Sequence, residues 1–312
     1  MAVVGPYGVV IEVPDVEPGI KFYTDAGLSA HRDGNVVRFR CDGQDRDYIT
    51  LLGGAPKKRI HHLILQADPR KFDEVRKAVP ARGGTITQAP AGFSNEGLWV
   101  KDPHGLRIHL RDAAPEHPVP ACEVFQCNVP GKRVRIDARG VPAKATIGPI
   151  RPLRLGHVLL FSPDVIRSTD FFVNALGMGL ADRSQDVVAF LCARKDSDHH
   201  VVAFAKSTDI GFHHASFQVA TPDEVGLGGR RLIEKGNKGN WGFGRHTIGS
   251  NFFHYIQDPW GSWFEYYSDI DYIVDHSKWE PMNYPLEDSL ENWGPELPHD
   301  FGHNYEAGPK AA

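Results

Sequence analysis

Cysteine is scarce: Cys41, Cys122, Cys127 and Cys192 are all that 312 residues contain. None forms a C-x-x-C pair. Cys122 and Cys127 are near enough to share a metal, but no second pair completes a zinc site. Free thiols in a reducing cytoplasm are the expectation. Long apolar runs are lacking too, so no segment is predicted to span a bilayer. The opening Met-Ala-Val-Val-Gly-Pro-Tyr-Gly has no basic stretch followed by an apolar core, and no secretion signal is expected. Nor does charge of one sign dominate. The net charge of -4 gives no reason to expect nucleic acid or an anionic membrane as partner. With 41% hydrophobic and 24% charged residues, the chain reads as soluble and globular, with one large or two ordinary domains.

What is plentiful is histidine, sixteen in all. Their value depends on convergence, and the chain's internal order brings some together. Tyr7 to Asp15 reads as a strand ending in Pro-Asp, and 16–27 as a short helix with Ile20, Phe22 and Tyr23 on its buried side. Strands follow at 36–40, 47–52 and at Arg59-Ile-His-His-Leu-Ile-Leu, then a helix over 69–79. A hairpin through Asp102-Pro-His-Gly105 closes the unit. The second half repeats this order. Leu155 to Asp164 is a strand ending in Pro-Asp, and 165–176 a helix. Strands follow at 187–193, 199–204 and Gly211-Phe-His-His-Ala-Ser-Phe217. A helical region over 222–235 comes next, then a glycine-rich loop over 236–244. A hairpin through Asp258-Pro-Trp-Gly261 ends the unit. Three anchors (Pro-Asp, His-His and Asp-Pro-x-Gly) recur in register, which marks an internal repeat. The predicted class is α+β, with tandem βαβββ modules in two barrel-like domains, 1–134 and 135–312. Residues 113–152 read as a proline- and base-rich connector with one or two short strands. The tail after Asp269 reads as an extended segment packed on by its aromatics.

Aligned by these anchors, the second copy offers His157, His214 and Glu265 from three different strands. The first copy offers Gly8, His62 and His109. Glu265 sits among aromatics in its strand. A buried acid there must be paired, protonated or metal-bound. Strand alternation puts His213 with Ala215, Phe217 and Val219 on an apolar side, so His214 is the chosen ligand. Two neutral imidazoles and one carboxylate leave coordination positions open, the arrangement suited to non-haem Fe(II) and O₂.

With Gly156-His157, Asp198-His-His200, Phe212-His-His214, Gly244-x-His246, Tyr255, Asp258-Pro259, Gly261 and Glu265 in place, nearly the whole chain resembles a known family. It is similar to the type I extradiol ring-cleaving dioxygenases of the vicinal oxygen chelate superfamily, whose fold is glyoxalase-like. His254 departs from the family pattern but lies on the strand face opposite Tyr255. The resemblance implies Fe(II), with Mn(II) as a known substitute, on His157, His214 and Glu265. It implies His200 as acid and base, Tyr255 as hydrogen-bond donor to substrate oxygen, and His246 near the substrate hydroxyl. The first copy carries Tyr48, Pro90 and Trp99 at those last three positions and is assigned no chemistry.

The implied activity is ring cleavage of a substituted, single-ring catechol beside its hydroxyls, with O₂ as co-substrate, in aromatic-compound degradation. A base must remove a phenolic proton and an acid must return one, and histidine does both near neutral pH. Leu159, Cys192, Ile248 and Phe253 are the expected pocket lining. Trp241, Lys238 and Arg245 are placed near it in the glycine-rich loop, where a basic residue can meet a substrate carboxylate. A cytoplasmic homo-oligomer is expected. Two other readings are a glyoxalase-like isomerase or transferase and a metal-free protein that sequesters aromatics.

Overall fold

The computed structural model describes residues 2–113 and 126–308. Its first half runs β1 (Val3–Val13), α1 (Glu17–Asp25), β2 (Ser29–Asp33), β3 (Val36–Arg40), β4 (Ile49–Gly53), β5 (Arg59–Ala67), α2 (Phe72–Ala81), β6 (Thr85–Thr87), β7 (Leu98–Lys101) and β8 (Arg107–Arg111). The second half begins with β9 (Arg154–Ser162), α3 (Val165–Asn174), β10 (Gly179–Ser184), β11 (Val188–Cys192), β12 (Lys195–Asp198), β13 (Val202–Lys206) and β14 (Gly211–Gln218). It continues with α4 (Pro222–Glu234), β15 (Asn240–His246), β16 (Phe252–Gln257), β17 (Trp263–Ser268), β18 (Tyr272–Asp275) and β19 (Glu291–Trp293).

Two mixed sheets result, in the orders β2-β3-β4-β1-β5-β8-β7-β6 and β10-β11-β13-β9-β14-β17-β16-β15-β19, with β12 and β18 as a separate ribbon. Each sheet is two βαβββ modules joined at an antiparallel central pair, β1 with β5 and β9 with β14. Within a module the first and last strands run parallel. The fold is the tandem α+β arrangement expected, with each half itself a duplicated module.

The recurring anchors are local backbone chemistry. Asp15 accepts the N–H of Glu17 and Asp164 that of Arg167, so each Pro-Asp opens a helix by satisfying an orphan donor. In the hairpins, one oxygen of Asp102 accepts from the amides of His104 and Leu106, and one of Asp258 from those of Trp260 and Ser262. Gly105 and Gly261 take φ of 93° and 91°, which a side chain resists.

The structure adds strands that pattern reading passed over, β2, β6 and β10. It also redraws two segments. Residues 199–201 are not in the strand expected there, which begins at Val202, and the glycine-rich loop is largely strand β15. The connector has no strand among its described residues, only an isolated bridge between Val129 and Lys132. The 134/135 boundary falls within it, and Cys122 lies outside the described residues. The tail is more than packing. Buried Glu306 pairs with Lys58 and accepts the amides of Ile60 and Phe212, tying β5 to β14 across the two halves.

Candidate metal centre and active site

Register places the candidate ligands. His157 on β9 faces Ser216 on β14, Ser216 faces Glu265 on β17, and Glu265 faces Tyr255 on β16. Four adjacent strands thus put these residues in one row on one side of the sheet. His214 lies two residues before Ser216, on the same side. The ligand atoms of His157, His214 and Glu265 all lie within 4.8 Å of one another. One carboxylate oxygen of Glu265 is 3.0 Å from His157 Nε2 and 3.5 Å from His214 Nε2.

All three are buried, and their remaining contacts favour an ion. Asn251, fully buried, donates to the other Glu265 oxygen over 3.2 Å. His213 Nε2–H donates to the Phe301 carbonyl at 2.8 Å, so neutral His213 presents a bare Nδ1, which accepts from His214 Nδ1–H at 2.8 Å. That fixes His214 Nε2 as an unprotonated lone pair, and it has no hydrogen-bond partner. A buried acceptor without a partner is costly unless something occupies it. Burial pushes the His214 pKa well below its ordinary value, helped by His213. Burial alone would raise Glu265, but His157 beside it overcomes this and the acid lies well below its usual range. Neutral imidazoles and an ionised carboxylate are the states that ligate divalent metals. The donor set fits a divalent ion with open positions.

Three further side chains ring this point. His200 packs against His157 with ring centroids 4.2 Å apart, and burial holds its pKa well below the usual histidine value. His246 donates through Nδ1 to the Leu290 carbonyl, so its Nε2 accepts from the Tyr255 hydroxyl at 3.0 Å. Burial, with Glu265 nearby, pushes the Tyr255 phenol well up, so it stays a donor. Gly156 beside the first ligand is there for space: a Cβ would fall 1.9 Å from the Tyr267 hydroxyl.

A cavity of about 210 Å³ opens over these groups. His157, His200, His214, His246 and Tyr255 form its polar end. Leu159 and Ile248 line it as expected, with Val188, Phe190, Leu297 and Phe301 completing apolar walls. Two expected lining residues, Cys192 and Phe253, lie elsewhere, as does Trp241, expected near them to bind substrate. Cys192 packs with Ala181 and Ile273 at the end of β11, outside the cavity lining. Phe253 and Trp241 stand behind the wall: Phe253 stacks on His246 at 4.1 Å and Trp241 on Tyr255 at 5.4 Å. Arg245 pairs with Asp269 and covers Phe252, away from the cavity, which Lys238 does not line either. His213 also lines the cavity, although alternation turned it to the core. The register between β14 and β9 shifts between Phe212 and His214. A bulge inserts one residue and breaks the period of two. Asn251, Asp182 and the tail residues Leu297 and Phe301 were missed because no local pattern marks them.

In the first half the equivalent row is Gly8, Ile64, His109 and Trp99. A Cβ on Gly8 would meet backbone oxygens of Asp47 and Tyr48 at 2.7 and 2.9 Å, so no ligand fits there.

Comparison with known proteins agrees with this geometry. Residues 154–266 match the Glyoxalase/Bleomycin resistance protein/Dioxygenase superfamily. The chain is 36% identical over 297 residues to metapyrocatechase 2 of Cupriavidus necator, covering 95% of this chain and 91% of the relative. Among solved structures it is similar to the Mn(II)-bound glyoxalase from Novosphingobium aromaticivorans, with TM-score 0.76, 25% identity and coverage of 100% and 96%. It also shares the fold of the 2,3-dioxygenase LapB from Pseudomonas sp. KL28, with TM-score 0.72, 23% identity and coverage of 92% and 99%. The chain therefore belongs to the metal-dependent extradiol catecholic dioxygenases of the vicinal oxygen chelate superfamily.

Proposed function

We propose that the chain cleaves a single-ring catechol carrying an uncharged, apolar substituent, using Fe(II) held by His157, His214 and Glu265. The carrying observation is that His157, His214, His200, His246 and Tyr255 line one end of one cavity, with Glu265 buried against the two candidate ligands His157 and His214. Bound Fe(II), for which Mn(II) can substitute, supplies the redox link between a catechol and O₂. The protein's own residues bind, orient and move protons. His200 takes a phenolic proton as the substrate enters and returns it as the O–O bond breaks. Tyr255 turns its hydroxyl from His246 to the substrate oxygen and stabilises its negative charge. Residues 135–312 form the catalytic domain in this reading, and 1–134 a non-catalytic one.

The cavity supports the choice of substrate. Its 210 Å³ lies below the roughly 300–1,000 Å³ of sites for drug-sized ligands, which suits one ring and a short substituent. Lys206 is the one Lys or Arg among its described lining residues, and it is half exposed and paired with Asp186. A carboxylate held against Leu159, Val188 and Phe190 would lose its hydration without a partner. Cys127 and Cys192 as free thiols accord with a reducing cytoplasm. No helix of the described residues is long and apolar enough to cross a membrane. The homo-oligomeric expectation is a matter for sedimentation.

The test is anaerobic loading with Fe(II), then addition of catechol, alkylcatechols and dihydroxybenzoates in air. A yellow ring-opened product from the first two, and at least about 100-fold weaker kcat/KM for the acids, is expected. No product from any catechol would overturn the reading. Hemithioacetal isomerisation in its place would favour the glyoxalase-like alternative.

A further inference from the structure

Buried behind His200, on the side away from the ligands, are two groups that the resemblance gives no role. His199 Nδ1 lies 3.0 Å from His200 Nδ1, and His199 Nε2 lies 2.8 Å from Asp182 Oδ2. The other Asp182 oxygen accepts the backbone N–H of Met282 at 2.6 Å. His199 is fully buried and Asp182 nearly so. Both carboxylate oxygens are therefore occupied as acceptors, and the proton between His199 and Asp182 belongs to the ring. A neutral imidazole carries one N–H. With that proton on Nε2, a neutral His199 presents a bare Nδ1 to its neighbour, and His200 then supplies the proton between the two rings. His200 is then protonated on Nδ1, with its Nε2 lone pair as the ring's basic atom.

We propose that Asp182 and His199 are positioning residues that set the tautomer of His200, so that a base and not a donor is presented to the substrate. This inference rests on the proposed function for its catalytic meaning, but its structural content stands apart from turnover. The direction of the chain starts at Asp182, because a carboxylate can only accept. Asparagine in its place has one acceptor oxygen and one NH₂. The Met282 amide is fixed by backbone and takes the oxygen, which turns NH₂ towards His199. His199 must then protonate at Nδ1 and donate to His200, which places the His200 proton on Nε2. One isosteric change thus reverses two hydrogen bonds without altering packing volume. When native His200 gains a second proton, the same chain offers the imidazolium an acceptor backed by a carboxylate, the arrangement that serves histidine general bases elsewhere.

The test combines nitrogen NMR of the ¹⁵N-histidine-labelled, metal-free full chain with kinetics of the iron-loaded enzyme. Native protein is expected to show His200 as the Nδ1–H tautomer and Asp182→Asn as the Nε2–H tautomer. The same substitution should lower kcat about 100-fold, the low end of general acid–base contributions, with metal content and anaerobic catechol affinity unchanged. His199→Gln, whose side-chain oxygen can still accept from His200, should retain at least a tenth of native kcat. In a His200→Ala background, Asp182→Asn should add no further loss. An unchanged His200 tautomer in Asp182→Asn, or full additivity with His200→Ala, would overturn the proposal. If His200→Ala alone left kcat intact, the acid–base role in the proposed function would fall, while the NMR result would still decide the tautomer.

Discussion

Trp99 lies flat on His109, ring centroids 4.1 Å apart and planes within 6°, at the pair of positions that Tyr255 and Glu265 hold in the second sheet. His109 also meets the Glu96 carbonyl through Nε2 at 2.8 Å, which occupies the nitrogen a metal would need. Burial drives His62 down to about 2, and nothing anionic stands in its row. The expected stoichiometry is therefore one Fe(II) per chain. Glu265→Gln should bring it close to zero and His109→Ala should leave it unchanged, as read by metal analysis after gel filtration.

Gly156 is the tightest approach to the ligand set. Its replacement by alanine drives a methyl group into the Tyr267 ring, whose hydroxyl meets Asp198 at 3.1 Å. Overpacking of this kind costs about 1–3 kcal/mol. A lower urea midpoint at constant m-value, with weaker metal retention from the displaced His157, is the expected pair of results. A midpoint equal to native would show that the Tyr267 ring moves freely.

Tyr255→Phe removes a hydroxyl and leaves the ring stacked on Trp241. Metal content should hold, because Tyr255 is not a ligand. Loss of one hydrogen bond to developing oxyanion costs about 100-fold in kcat. Steady-state rates on an alkylcatechol check this, with KM expected to move much less than kcat.

His254 gives a stability signature in acid. It is buried under α4, where a Cβ on Gly229 would lie 2.1 Å from its Nδ1, and burial pushes its pKa down to about 4. The folded state thus binds fewer protons than the unfolded chain, whose histidine titrates near 6.5. Stability from keeping this ring neutral is complete above about pH 6.5 and is lost as pH falls towards 4, by at most roughly 3 kcal/mol. Denaturation midpoints at pH 7 and pH 5 should differ less in His254→Leu than in native protein.

Local chemistry wrote the repeat into the sequence. Asp15 and Asp164 accept amides at the starts of their helices, Asp102 and Asp258 fold their hairpins, and each acts within a few residues of itself, so spacing alone betrays it. Aligning the two copies by those anchors likewise singled out His157 and Glu265. What the tertiary structure decided arises between distant segments. A bulge against β9 turned His213 into the cavity, and alternation cannot foresee an inserted residue. Cys192 packs away from the cavity and Phe253 stands behind it, because only the curvature of the sheet says what each face meets. Asn251 reaches Glu265, Asp182 reaches His199, and the tail carbonyls of Leu290 and Phe301 fix His246 and His213, all by three-dimensional closure. Which atoms carry chemistry followed from residue type and period; which nitrogen holds each proton followed from partners far along the chain.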